Sequence, residues 1–129
     1  MKSNIFLLLL SFYLVSNFTL SQNHVFKEFG VNDGLPSSQV YDLYQDKKGN
    51  IWFATDRGLA HFNGYEFKKY GVEDGLPGNV ILSFFPQNNG EVWCSTINKE
   101  IFYFNENFKE FHTFKFNNLI KNKIKIFLI

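Results

Sequence analysis

One block of this chain occurs twice, and the interval between the copies constrains the fold more than any other feature. Phe26-x-x-Phe29-Gly30-Val31-x-Asp33-Gly34-Leu35-Pro36 returns as Phe67-x-x-Tyr70-Gly71-Val72-x-Asp74-Gly75-Leu76-Pro77, a displacement of 41 residues. The same step carries Val40 to Ile81, Gly49 to Gly90, Trp52 to Trp93 and Thr55 to Thr96, and takes Phe67 and Tyr70 on to Phe108 and Phe111. Self-similarity at such a period marks an architecture of stacked supersecondary units.

Within one period the local signals are those of β-structure. Residues 39–45 alternate, with Val40, Asp42 and Tyr44 on one side and Tyr41 and Leu43 on the other. Asp46 to Asn50 reads as a turn in which Gly49 can take a positive φ. Residues 51–55, Ile-Trp-Phe-Ala-Thr, are apolar on both faces, which implies burial on both. Asp56-Arg57-Gly58 turns again, residues 59–62 form the next strand, and Asn63-Gly64 signals a hairpin leading into a strand over 65–70. Gly71 to Pro77 is a loop rich in breakers. Four short antiparallel strands per period, with a Trp on an inner strand, describe a propeller blade.

That architecture explains an unusual composition. Seventeen Phe raise the aromatic share to 19%, as expected where blades stack face to face and each large ring removes about 150–250 Å² of surface from water. Trp52 and Trp93 are therefore expected to pack between blades, with ligand stacking as the alternative. Asn63-Gly64 and the Gly-Leu-Pro triplets read as turn chemistry.

The pattern Gly34-Leu35-Pro36-Ser-Ser-Gln-Val40, followed by Asp46-x-x-Gly49-Asn50-Ile51-Trp52-Phe53-Ala54-Thr55-x-x-Gly58-Leu59, resembles the two-component regulator propeller repeat. The second copy, Gly75-Leu76-Pro77 through Gly90-Glu91-Val92-Trp93-Cys94-Ser95-Thr96, resembles it too, so the likeness covers Phe26 to Phe111. The resemblance implies seven-bladed periplasmic propellers that follow a secretory signal and serve as sensor regions of histidine kinases, often hybrid ones, chiefly in Bacteroidetes. Some are implicated in sensing carbohydrate fragments. A WD-type or kelch reading is weaker, because no Trp-Asp ends a strand and no Gly-Gly pair occurs.

The second copy departs from the first. Asn98-Lys99-Glu100 stands where Arg57-Gly58-Leu59 is found, and Asn105-Glu106-Asn107 lacks a glycine; a longer turn followed by a shorter one would preserve a strand over 101–104. The third period has no Gly-Leu-Pro. Residues 119–124 can be laid over 35–40, and residues 124–129 read as a strand-like run. The fold expected is all-β: four-stranded antiparallel propeller blades, about two and a half blades of an incomplete β-propeller, after an N-terminal signal helix. Residues 1–21 are assigned to a signal peptide, 22–111 to two blade repeats, and 112–129 to a degenerate or truncated start of a third. Because a closed propeller needs about four blades or more, the chain is read as a fragment whose partners include the remaining blades of a longer chain.

Residues 1–21 carry Lys2 followed by an apolar run from Ile5 to Val15, the n- and h-regions of a secretory signal. Thr19 and Ser21 suit a cleavage site before Gln22. An uncleaved signal anchor is the rival, but the run is broken at Ser16-Asn17 and a span needs about 20 apolar residues. A periplasmic or secreted location follows. Thirteen Lys and Arg face twelve Asp and Glu in the whole chain. Without Lys2 the balance is even, which argues against nucleic-acid binding through a basic face. Four lysines and no acid lie in 112–129, the pattern of a solvated terminus, with a membrane or nucleic-acid contact as the alternative. The membrane would be met only through an uncleaved signal or a span further on.

Chemistry-bearing residues are sparse. Cys94 cannot form an internal disulfide alone, and it reads as a small buried residue. His24, His61 and His112 lack metal-ligand spacing and the acidic neighbour of a phospho-accepting histidine; His61 reads as a satisfied structural residue. No nucleophile–base pair, phosphate loop or paired carboxylates stand out, so no catalytic residue, no metal and no cofactor is expected. Ligand-binding residues are not readable; the loops after residues 51–55 and 92–96 are candidates by position alone. The leading expectation is an extracytoplasmic ligand-sensing propeller region of a two-component system without its kinase core, with a small molecule or oligosaccharide as ligand. The alternatives are a fragment of a secreted propeller enzyme or carbohydrate-binding protein, or a non-functional product.

Overall fold

The computed structural model describes residues 26–107 and 110–124. The signal segment with its cleavage position, Phe108, and residues 125–129 of the strand-like run lie outside the described residues. The chain forms two four-stranded antiparallel sheets, each with its strands in chain order. The first holds β1 (Val40–Gln45), β2 (Ile51–Thr55), β3 (Gly58–Phe62) and β4 (Phe67–Tyr70). The second holds β5 (Ile81–Pro86), β6 (Glu91–Thr96), β7 (Ile101–Asn105) and β8 (Phe111–Thr113), and helix α1 (Asn117–Ile124) follows. These are two propeller blades stacked face to face, as the repeat predicts.

The connections follow from their residues. At the β1–β2 turn the Asp46 carboxylate accepts the Lys48 and Asn50 N–H groups, each at 2.9 Å, and Gly49 takes φ 86°. Each sheet is introduced by a single 3-10 turn, Val31–Asp33 or Val72–Asp74. Gly34 and Gly75 close these turns with φ 114° and 101°. The leucine that follows each glycine, Leu35 or Leu76, is buried. Gly-Leu-Pro is thus a stop, an anchor and a breaker.

Two apolar clusters divide the core. Leu35, Phe53, Ala60 and Phe62 form one on the outer face of the first blade, flanked by Phe29, Ile51 and Phe67. The other joins the blades: Trp52, Ala54, Leu59 and Tyr70 meet Ile81, Phe84, Val92, Cys94, Phe102 and Phe104. One cross-strand pair is exchanged in size between the copies. Phe53 on β2 faces Ala60 on β3, whereas Cys94 on β6 faces Phe102 on β7. The large ring has changed strand while the volume of the pair is roughly kept.

The second blade departs from the expected register. Ala54 pairs with Leu59, but Ser95 pairs with Ile101, so the β6–β7 turn is longer, as expected. Lys99 in this turn has φ 62°, a left-handed conformation costing a non-glycine residue about 1–2 kcal/mol. Lys99→Gly is therefore expected to raise stability by about 1 kcal/mol, read as a higher midpoint in urea with an unchanged slope.

The following hairpin is also longer, not shorter. Phe62 pairs with Phe67, whereas Phe104 pairs with Phe111. Phe111 thus takes the place of Phe67 rather than of Tyr70, and Phe114 takes that of Tyr70, a displacement of 44 residues (67 to 111). Without an Asn-Gly pair the chain uses the wider connection 105–110. In that corrected register Gly75 corresponds to Leu119. Leucine does not supply the left-handed stop, so the turn runs on through N–H groups of Leu119 and Ile120 bonded to the Phe116 carbonyl. Residues 117–124 are accordingly helical, and do not repeat the loop and strand start of 35–40 over which 119–124 can be laid.

Helix α1 is tied back to the sheet. The Asn117 amide accepts the Ile101 N–H and donates to the Ile101 carbonyl, both at 2.9 Å. Lys121 Nζ lies 2.8 Å from Glu100 Oε1. No helix among the described residues is long and apolar enough to cross a membrane.

Candidate functional site

The most elaborated chemistry in the molecule lies where the two blades meet. Strand β2 carries Trp52 into this junction because both of its faces are covered. The indole is fully buried, with its centroid 4.6 Å from the ring of Phe104 on the other blade. Tyr70 stacks on it at 5.7 Å and 21°, and the His61 ring lies at 4.5 Å. Trp52 is an inter-blade packing residue. His61 is buried, its Nε2 3.8 Å from Asp46 Oδ2, as expected of a structural histidine.

Polar groups lock the same junction. Asp42 Oδ2 accepts the Phe84 N–H of β5 at 2.8 Å, while Asp42 Oδ1 accepts the Leu43 N–H, also at 2.8 Å. The Tyr44 hydroxyl donates to Glu106 Oε1 across the blades. Burial first, then this bond and the charge of Glu106, push the Tyr44 phenol well above its usual range. At the other end Gly58 N–H donates to the Asn79 carbonyl at 2.6 Å. The loops after β2 and β6 lie at this end, beside the approaches to β5. They are bonded to the chain leading into the second blade; their side chains do not converge on a common centre.

Asp46 is the buried acid of the junction. Burial alone would raise its pKa, but hydrogen bonds from the Asn50 side chain and backbone, the Lys48 backbone and the Trp52 side chain together hold it below the ordinary value. A carboxyl depressed on folding contributes stability above its unfolded pKa, about 3.9, and that contribution is lost as pH falls through the lower folded value. Acid titration should therefore lower the melting temperature below about pH 4. Asp46→Asn should flatten that part of the profile; an unchanged slope would contradict this role.

Trp93, at the repeat position of Trp52, shows what the junction looks like from one side. It is half-buried, stacked on Tyr103 at 4.8 Å and 24°, and Phe114 meets its edge at 5.5 Å. Its indole N–H donates to Glu91 Oε2 at 3.2 Å. An open hollow of about 570 Å³ lies beside it, lined by Gln87, Asn88, Asn89, Glu91 and Trp93. Here no Phe104 counterpart covers the ring among the described residues. Cys94 is buried, and burial first, then the charge of Asp42, raises its thiol pKa well above the usual value. The protonated thiol is a poor nucleophile. Among the described residues no three His, Cys, Asp or Glu side chains gather as a metal site.

The sequence reading missed the cross-blade locks of Asp42 and of Tyr44 with Glu106. The available signal was their failure to repeat: Asp42 becomes Ser83, Tyr44 becomes Phe85, and Glu106 has Gly64 at the matching hairpin. Groups specific to one junction are invisible to a search for what recurs.

Comparisons with known proteins agree with this geometry. Residues 34–57 match the two component regulator propeller family. The chain is 43% identical over 58 residues to histidine kinase P4 of Formosa agariphila, covering 45% of this chain and 4% of that one. Its fold is similar to the crystallised extracellular domain of a hybrid two-component system from B. thetaiotaomicron, with a TM-score of 0.63 and 26% identity over 70% of this chain and 13% of that one. The chain thus spans a small part of either relative. Its repeat is the two-component regulator propeller repeat, built as stacked four-stranded blades.

Proposed function

We propose that this chain supplies propeller blades to the extracytoplasmic, ligand-sensing region of a two-component signalling system. The observation that carries the reading is the locked junction at Trp52, because two blades held in one register can pass a displacement from one to the next. The relatives support it: one is a histidine kinase and the other an extracellular domain of a hybrid system. In this reading the blades bind and transmit, and phosphoryl transfer belongs to a kinase core. A ligand drives such a system only by binding two arrangements unequally. The ligand is a small molecule or oligosaccharide, bound where loops of several blades converge.

Two measurements test this. Alkaline phosphatase fused after Ile129 should be active outside the cytoplasmic membrane; activity confined to the cytoplasm would overturn the location. The chain should also show an upward melting shift with members of a panel of soluble oligosaccharides. A flat response across the panel would overturn oligosaccharide sensing by these blades.

A further inference from the structure

Phe26-x-x-Phe29, Phe67-x-x-Tyr70 and Phe111-x-x-Phe114 are three copies of one motif, but the described residues hold only two blades. In the second and third copies the motif begins an outer strand, β4 or β8, and its last aromatic closes over the tryptophan of its own blade: Tyr70 over Trp52, Phe114 against Trp93. The first copy has no blade of its own to close. We infer that Phe26–Phe29 is the outer strand of a further blade, whose three inner strands are not among residues 30–124 and carry a tryptophan at the Trp52 position.

Geometry supports this beyond the shared letters. Tyr70 ends the outer strand of the first blade and meets Phe111 of the next edge-on, at 5.3 Å and 71°. Phe29 meets Phe67 edge-on at 5.4 Å and 77°. Since Phe67 and Phe111 are register equivalents, Phe29 stands against the first blade as Tyr70 stands against the second. The chain beyond it is also the same. Gly30 N–H donates to Asp33 Oδ2 and Leu35 N–H to the Gly30 carbonyl; Gly71, Asp74 and Leu76 repeat both bonds. What differs is the other side of the strand. Tyr70 is buried under Trp52, whereas residues 26–28 are exposed, belong to no sheet, and leave Phe26 90% exposed. An aromatic strand laid in place on one blade lacks only the sheet to which it would add.

The acceptor is a three-stranded sheet of the same repeat with its outer place vacant. A second copy of the chain does not offer one, because Phe111–Thr113 already fills that place on β7. Emptying it supplies the probe. A chain with Thr113→Pro and Phe114→Ser, which breaks β8 pairing and frees the Trp93 face, should form a 1:1 complex with the unaltered chain in sedimentation velocity. Phe29→Ser in the donor should weaken that complex at least tenfold. Absence of a complex, or one indifferent to Phe29→Ser, overturns the inference.

A second variant does not depend on an emptied acceptor. His112→Lys with Thr113→Glu rewrites β8 as the Phe-Lys-Glu-Phe of residues 26–29. That chain should unfold cooperatively with Trp93 emission as in the parent; loss of either shows that the segment is not an outer strand.

Discussion

Trp52→Ala should abolish cooperative folding of both blades or leave them barely stable. Truncating a fully buried tryptophan costs about 3–5 kcal/mol, against a total of about 5–15 kcal/mol for a typical domain. The cost should fall on both sheets, since the indole touches Tyr70 on its own blade and Phe104 on the other. Urea unfolding followed by far-ultraviolet circular dichroism measures it. Trp93→Ala provides the comparison, because the same residue type at the repeat position is only half-buried and should cost much less. Equal losses at the two sites would show that the junction is not where the stability resides. A double-mutant cycle between Trp52 and Phe104 should return a coupling of about 0.5–1.5 kcal/mol, the usual worth of an aromatic pair beyond its area.

Gly58→Ala should be nearly as damaging, for a backbone reason. Gly58 has φ 103°, and an added Cβ would stand 2.2 Å from the Tyr70 carbonyl oxygen. Neither side can yield easily. Gly58 is held by the Thr55 hydroxyl donating to its carbonyl at 2.8 Å and by its own N–H to Asn79. Tyr70 is held by its stack on Trp52. Left-handed strain of about 1–2 kcal/mol and overpacking of about 1–3 kcal/mol together give a loss of several kcal/mol. Gly64→Ala separates the contributions: its φ is 96°, but nothing lies within 4 Å of the added carbon. That variant should show the strain alone, about 1–2 kcal/mol. Chemical denaturation of the two variants, compared at the same temperature, decides the matter. Similar losses would mean that the approach to Tyr70 carries no cost.

These residues also show how far the sequence could be read. The repeat made Trp52 an inter-blade residue before any contact was known, because an apolar strand flanked by turns must be covered on both sides. It also located Gly34 and Gly75, whose left-handed stops any Gly-Leu-Pro loop invites. The reading failed where spacing changed. A constant step of 41 placed Phe111 on Tyr70, although the hairpin without Asn-Gly had grown and moved the match to Phe114. The same slip hid the loss of the glycine at Leu119, and with it the reason for a helix. The Asp42 and Tyr44–Glu106 bonds depend on how one blade sits against the next. No pattern within one strand encodes that, and the alternation of 39–45 was equally compatible with Asp42 facing water.

The exchanged pair Phe53–Ala60 and Cys94–Phe102 bears on how such genes change. A crossover between the two repeats that fell in the β2–β3 turn would join Phe53 to Phe102, or Cys94 to Ala60. The first product is overfilled and the second hollow, each at a cost of about 1–5 kcal/mol. Crossovers in the Gly-Leu-Pro loops keep every pair intact. Duplication and loss in this lineage are thereby channelled to whole repeats, with the loops as permitted breakpoints and the central hairpin inherited as a unit.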